Sequence, residues 1–142
     1  MQLTNFSDYA LRILMYAAAR SDRLITIEET AAVYGVSRAH LRKVANALTR
    51  AGYLAAVRGR SGGLKLGKNP DKIRLGDVVR LTEPDFALVE CFSDGDQCII
   101  TSRCRLRGVL KEALAAFVGV LDDYTLKDLL LRPKDFGFKS AA

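Results

Sequence analysis

At 142 residues, 49% of them hydrophobic, the chain can form one ordinary domain with a real core, or a small domain plus a dimerisation element. Its three cysteines argue against a disulfide framework and for a reducing compartment. The opening residues 1–8 lack a signal peptide's segments and no apolar run could span a membrane, so a cytoplasmic protein is expected. The net charge of +6 is uneven: residues 1–80 hold 14 Lys and Arg against 6 Asp and Glu, and residues 81–142 hold 8 against 10, so the first half is expected to meet a polyanion, nucleic acid before an anionic membrane.

Asn5 or Ser7 can cap a first helix over 8–20, with Tyr9 or Ala10, Ile13, Leu14 and Ala17 on its buried face. Thr26 starts a second helix, with Glu29 at capping-box spacing, and Gly35 supplies a left-handed stop after Tyr34. Ser37 caps a third helix, Arg38 to Arg50, closed at Ala51-Gly52. Two capped helices across a tight glycine turn, with Ala31, Ala32, Val36, Leu41, Val44, Ala45 and Leu48 as the apolar set, predict a helix-turn-helix. The outward set of the third helix is Ser37, Arg38, His40, Arg42, Lys43, Asn46 and Arg50, the donor types that read base edges and phosphates in a major groove. A plain solvated face is the simpler alternative.

Two short strands, 53–58 and 63–67, flank a turn of Gly59, Arg60, Ser61 and Gly62. With Arg58, Arg60, Lys65 and Lys68, this hairpin reads as a wing. Gly62 and Gly63 would let backbone N–H groups approach phosphates, and an arginine could enter the minor groove. The alternative is a surface hairpin charged for solubility. Asn69-Pro70 breaks the chain, and 73–81 reads as a short amphipathic helix ended by Thr82-Glu83-Pro84. Leu106, Leu110, Ala113, Phe117, Val120 or Leu121, and Tyr124 then mark a long helix with a coiled-coil-like seam for a second copy of the chain; an intramolecular core helix is the alternative. Thr125 can cap a last short helix over 126–131, and the tail from Lys134 has no pattern. The expected fold is mainly α with a small β-hairpin wing, a winged helix-turn-helix plus a long dimerisation helix. Residues 1–83 form the DNA-binding domain, 84–104 a cysteine loop, 105–131 the dimerisation and short C-terminal helices, and 132–142 a flexible tail.

All three cysteines, Cys91, Cys98 and Cys104, fall in that loop at C-x6-C-x5-C spacing. Scattered buried thiols do not cluster in this way, although reduced thiols packed in apolar surroundings are the bland alternative. Gaps this wide, without a short knuckle, favour an iron–sulfur centre over structural zinc. Three thiolates are one short of the usual set, so a fourth ligand comes from elsewhere or one position is open. No enzyme is expected: the single histidine, His40, has no nucleophile partner, and Gly59, Gly62 and Gly63 lack the strand-to-helix context of a nucleotide loop.

Together these motifs resemble a known family. They are Met1-Gln2-Leu3-Thr4 with Phe6 and Asp8-Tyr9, Tyr34-Gly35-Val36-Ser37-Arg38, Val57-Arg58-Gly59 with Gly62-Gly63, Gly76-Asp77-Val78-Val79, and the cysteine loop. In this order they are similar to the winged-helix iron–sulfur repressors, the family that includes the NsrR, IscR and RirA types. The likeness covers about residues 1–131 and is strongest to the NsrR type, notably at Leu121-Asp122 and Tyr124-Thr125-Leu126. The resemblance implies a homodimer on a palindromic operator in double-stranded DNA. It also implies a cluster, 4Fe–4S in preference to 2Fe–2S, held by Cys91, Cys98 and Cys104, with Asp8 of the partner subunit as fourth ligand and nitric oxide as the signal. Arg107 stands where the IscR type has a histidine ligand, which argues against that site. The first cysteine gap is one residue longer than the NsrR pattern, and Phe86 to Phe92 is similar to the RirA type, so an iron-responsive repressor is the alternative. A small iron–sulfur electron carrier or thiol redox protein without DNA binding is the alternative of another class.

Overall fold

The computed structural model describes residues 1–137. Its spine is α1, Asn5–Ala19, whose Ala10, Ile13, Leu14 and Ala17 are buried as expected, together with Tyr16, Ala18 and Ala19. The cap is Thr4 rather than Asn5 or Ser7, and its hydroxyl oxygen accepts the Ser7 N–H at 3.3 Å. α1 is enclosed because four elements pack on it: α3 (Arg38–Arg50), α4 (Leu75–Thr82), the second strand of the wing and the short turn Leu126–Leu129.

The helix-turn-helix consists of α2, Ile27–Tyr34, the Gly35 turn at φ +66°, and α3. Thr26 caps α2 by accepting the Glu29 N–H at 3.1 Å, and Ser37 caps α3 by accepting the His40 N–H at 3.3 Å. The capping box at Thr26 is only half made. The Glu29 carboxylate turns to Arg23 at 2.8 Å and the Tyr16 hydroxyl at 3.1 Å, because a charged donor and a buried phenol attract it more strongly than one backbone N–H. Leu41, Val44, Ala45 and Leu48 are buried, but Ala32 is exposed, so its place in the expected apolar set is corrected: in α2 it is Thr30 and Ala31 that turn inward.

The wing is an antiparallel pair, β1 (Leu54–Val57) and β2 (Gly63–Leu66), with Leu54 opposite Leu66 and Val57 opposite Gly63. Ile25 adds a rung. It exchanges backbone hydrogen bonds of 2.9 and 2.8 Å with Leu64, and this anchors the wing to the segment before α2.

α5, Arg105–Asp122, packs on α4, and the bidentate pair of Arg80 with Asp122 (2.7 and 2.6 Å) joins them. None of the residues of α5 is buried. The chain then returns to the domain built around α1. The Leu75 N–H donates to the Tyr124 carbonyl, the Leu126 N–H donates to the Ile73 carbonyl, and Leu126 enters the core. The expected last helix is a 3-10 turn, Leu126–Leu129, started by the Asp128 carboxylate accepting the Thr125 N–H at 2.8 Å. The expectation of a pattern-free tail is corrected over Pro133–Phe136, a second 3-10 turn. The Phe136 ring packs edge-on against Tyr16 (5.4 Å) and Tyr34 (6.1 Å), a favourable aromatic geometry. The remainder of that stretch, 138–142, lies outside the described residues.

Candidate nucleic-acid interface and cysteine loop

Between α2, α3 and the wing runs a groove of about 400 Å³. Arg42 and Asn46 of α3 line it with Arg58, Gly62 and Gly63 of the wing. Helix and hairpin thus present one surface, because Ile25–Leu64 pairing pins the wing beside the start of α2. Ser37, Arg38, Lys43 and Arg50 are exposed on α3, and Arg60 and Lys65 on the wing. Glu28, which no sequence motif marks, shares the groove 3.8 Å from Arg42. Both side chains are exposed, so that pair is weak and leaves Arg42 available to a phosphate.

Two expected contact residues sit differently. His40 is half-buried, and its ring packs edge-on against Tyr9 at 5.0 Å, with Phe6 at 6.4 Å. It joins α3 to α1 and does not project with the outward set. The Gly62 N–H donates to the Gly59 carbonyl at 3.0 Å, so it closes the turn and is not directed at a phosphate. A side chain at Gly62 would collide with the Val57 carbonyl, which explains the glycine without a ligand.

The three cysteines are free, Cys91 and Cys104 half-buried and Cys98 exposed. Cys91 lies in a 3-10 turn, Glu90–Phe92, and Cys104 is the residue before α5. Between them the backbone is held by short polar links: the Cys98 N–H donates to Asp96 and the Gln97 N–H to Glu90, each at 3.0 Å. Among the described residues no three His, Cys, Asp or Glu side chains converge on a point that could hold a metal ion. A single chain therefore does not bring the cysteines and Asp8 together. Asp8 instead accepts from Arg12 at 3.0 and 2.8 Å, across one turn of α1, and that guanidinium lies over the Tyr9 and Tyr34 rings. In donor chemistry the loop fits a thiolate-bound centre: three unpaired thiols lie on irregular backbone, none deeply buried. Close by in sequence, the Arg107 Nε is shielded from solvent with no hydrogen-bond partner among the described residues.

Residues 3–132 match the family model described as Rrf2, iron-dependent transcriptional regulator. The chain belongs to the Rrf2 family. It is 47% identical over 137 residues to the HTH-type transcriptional regulator NsrR of Bacillus subtilis, covering 95% of this chain and 94% of that protein. To NsrR of Geobacillus kaustophilus it is 48% identical over 132 residues, covering 92% and 90%. Among solved structures it is similar to a putative transcriptional regulator from Listeria innocua, with TM-score 0.74 and 32% identity over 91% of this chain and 85% of that one. As an Rrf2 protein the chain is a DNA-binding transcriptional regulator and not an enzyme, built on a winged helix-turn-helix. Among the described residues, no helix is long and apolar enough to cross a membrane.

Proposed function

We propose that this Rrf2 regulator is a homodimeric repressor that reads a palindromic operator through α3 and the wing, with an affinity set by a nitric-oxide-responsive iron–sulfur cluster, 4Fe–4S rather than 2Fe–2S. The observation that carries the DNA reading is the shared groove in which Arg42 and Asn46 of α3 meet Arg58 of the wing. Arg38, Lys43, Arg60 and Lys65 extend it as exposed cations suited to flanking phosphates. The exposed apolar residues of α5, Leu106, Val109, Phe117 and Val120, support a second copy packed along that helix. A two-fold dimer would set the two α3 helices about 34–36 Å apart, at successive major grooves.

Cys91, Cys98 and Cys104 would hold the cluster, with Asp8 of the partner subunit as fourth ligand. When bound, the cluster supplies iron that nitric oxide can attack and a link between the loop of one subunit and α1 of the other. Asp8 accepts from Arg12 within its own chain, so Arg12 either shares it or competes for it. Asp8 is also next to Tyr9, on which His40 of α3 packs, so the ligand position and the reading helix lie at opposite ends of a short packed path. A few kcal/mol of differential stabilisation is enough to switch occupancy.

The test is operator binding by anaerobically reconstituted protein at fixed salt, before and after nitric oxide and, separately, an iron chelator. Binding lost with nitric oxide supports this reading. Binding lost only with chelator favours the iron-responsive alternative, which the family's description as iron-dependent also favours. Binding that neither treatment changes would sink control by a cluster. Arg38→Ala or Lys43→Ala should weaken binding to all sequences alike and lower the salt slope by about 1, whereas Asn46→Ala should relax sequence preference.

A further inference from the structure

A cavity of about 820 Å³ opens at the base of the wing, between the end of α1, the chain leaving β2 and the 3-10 turn Pro70–Lys72. It is distinct from the groove beside α3. That groove uses the tip half of the hairpin, including Arg58, Gly62 and Gly63, whereas this cavity uses Lys65, Leu66, Gly67 and Lys68. Its size is that of sites for small ligands, about 300–1,000 Å³. Arg20, Lys65, Lys68 and Lys72 line it, and no acid does. Asp22 and Asp71, close by in the chain, are exposed and stand outside the lining.

Four cations around one concavity repel one another and focus a positive potential into it. Among the described residues Lys65, Lys68 and Lys72 make no ion pair. The Lys68 ammonium lies 4.5 Å from the centre of the Tyr53 ring, a face that holds a cation without neutralising it. The negative pole of α1 ends at this cavity, but its partial charge of about one half is small beside four full ones. Between the cations, Ala17, Ala18, Leu66 and Leu130 add apolar lining. A concave site of this kind, cationic groups over apolar surface, suits a compact ligand with an anionic head better than it suits the convex edge of a duplex.

We propose that this cavity binds a small organic phosphate, its phosphate among Arg20, Lys65, Lys68 and Lys72 and its apolar body against Ala17, Ala18, Leu66 and Leu130. A phosphate monoester carries nearly two negative charges at neutral pH, so it answers more of the four cations than a carboxylate does. The ligand bridges the end of α1, the base of the wing and Leu130, which follows the turn Leu126–Leu129. A ligand that binds only the folded chain raises its melting temperature. The site requires neither a cluster nor DNA.

The test is titration of the full chain with phenyl phosphate, inorganic phosphate and benzoate at constant ionic strength, read by calorimetry and thermal melting. Phenyl phosphate should bind with a Kd of about 1 mM or tighter and raise the Tm. It should bind about fivefold more tightly than inorganic phosphate, as roughly 40 Å² of buried apolar area predicts, and more tightly than benzoate. Lys68→Gln with Lys72→Gln should weaken it about tenfold, and Lys72→Gln alone, which leaves the Lys68–Tyr53 contact in place, about threefold. Arg38→Gln with Lys43→Gln removes the same charge from α3 and should bind the probe as the wild type does. The assignment is overturned by a wild type that binds no phenyl phosphate at about 10 mM, by benzoate binding equally well, or by equal loss in both double variants, the mark of diffuse charge. It is overturned too if no small probe binds and the cavity pair instead lowers the salt slope of duplex binding by about 2, which gives these lysines to DNA.

Discussion

Glu83 ties the beginning of the chain to the end of α4. Its Oε1 accepts the Thr4 N–H at 2.8 Å and the Thr4 hydroxyl at 3.0 Å, beside a Ser7–Thr82 hydroxyl pair at 2.7 Å. Partial burial pushes the carboxyl up, but the Ser7 and Thr4 hydrogen bonds outweigh it and hold it below its ordinary range. A folded value below the unfolded one gives stability that is present above the ordinary glutamate value of about 4.3 and is lost as pH falls through the folded value. Glu83→Gln should therefore flatten the acid limb of a stability profile below that pH and change it little near neutrality; an unchanged acid limb would remove the carboxylate from this role. Tyr34 behaves oppositely. Burial pushes its hydroxyl up to about 12, so it remains a donor to the Arg12 carbonyl at 2.8 Å across the working range. Tyr34→Phe should cost about 1 kcal/mol in denaturant unfolding, with no dependence on pH between 6 and 9. Neither link was legible in the sequence, since Thr4 and Glu83 are 79 positions apart and Tyr34 and Arg12 are 22.

At the scale of elements, caps were readable because they are local. Thr26 and Ser37 start α2 and α3 as expected, and Ser37→Ala should cost about 1 kcal/mol of stability by thermal melting. The outward and inward faces were less readable. His40 has a polar ring but also a flat apolar body, and only the position of Tyr9 on α1 decides which of the two is used. Gly76 shows the same limit. Its motif was visible, but its reason is that α5 crosses there. A side chain at Gly76 would collide with Asp122 Oδ1 and press on Arg80, breaking the ion pair that joins α4 to α5. Gly76→Ala should cost at most about 1 kcal/mol, because the atoms it displaces are the movable ends of Asp122 and Arg80, and Asp122→Ala in the same chain should remove that loss. Equal losses in both backgrounds would locate the strain elsewhere.

At the scale of the whole molecule, α5 is out of keeping with a monomer. It is 18 residues long with no buried residue, yet Leu106, Val109 and Val120 stand more than half exposed along it. Val109→Glu with Val120→Glu should convert a dimer to a monomer in sedimentation velocity and reduce operator affinity by orders of magnitude, because two half-sites would no longer be joined. The melting of the reading domain should hardly change, since neither residue is buried in a single chain. A wild-type chain that sediments as a monomer at micromolar concentration would remove the dimer from the proposal.

The helix-turn-helix, the hairpin and the grouping of the cysteines were legible along the chain, because each depends on short-range chemistry: caps three residues from their targets, glycines at turns, and thiols within one loop. The sequence also marked α5 as a helix with an apolar seam, since that is a matter of period. It took the folded chain to show that His40 packs inward, that the Gly62 N–H closes a turn, that Leu126 and Phe136 return to the domain built by α1, and that Glu28 shares the groove with Arg42. These depend on which elements meet, and long-range contacts compete with local preference by amounts that no single segment reveals. The three thiols and Asp8 mark the remaining boundary: among the described residues of one chain they form no metal-holding group, and no local pattern in the sequence could have shown that.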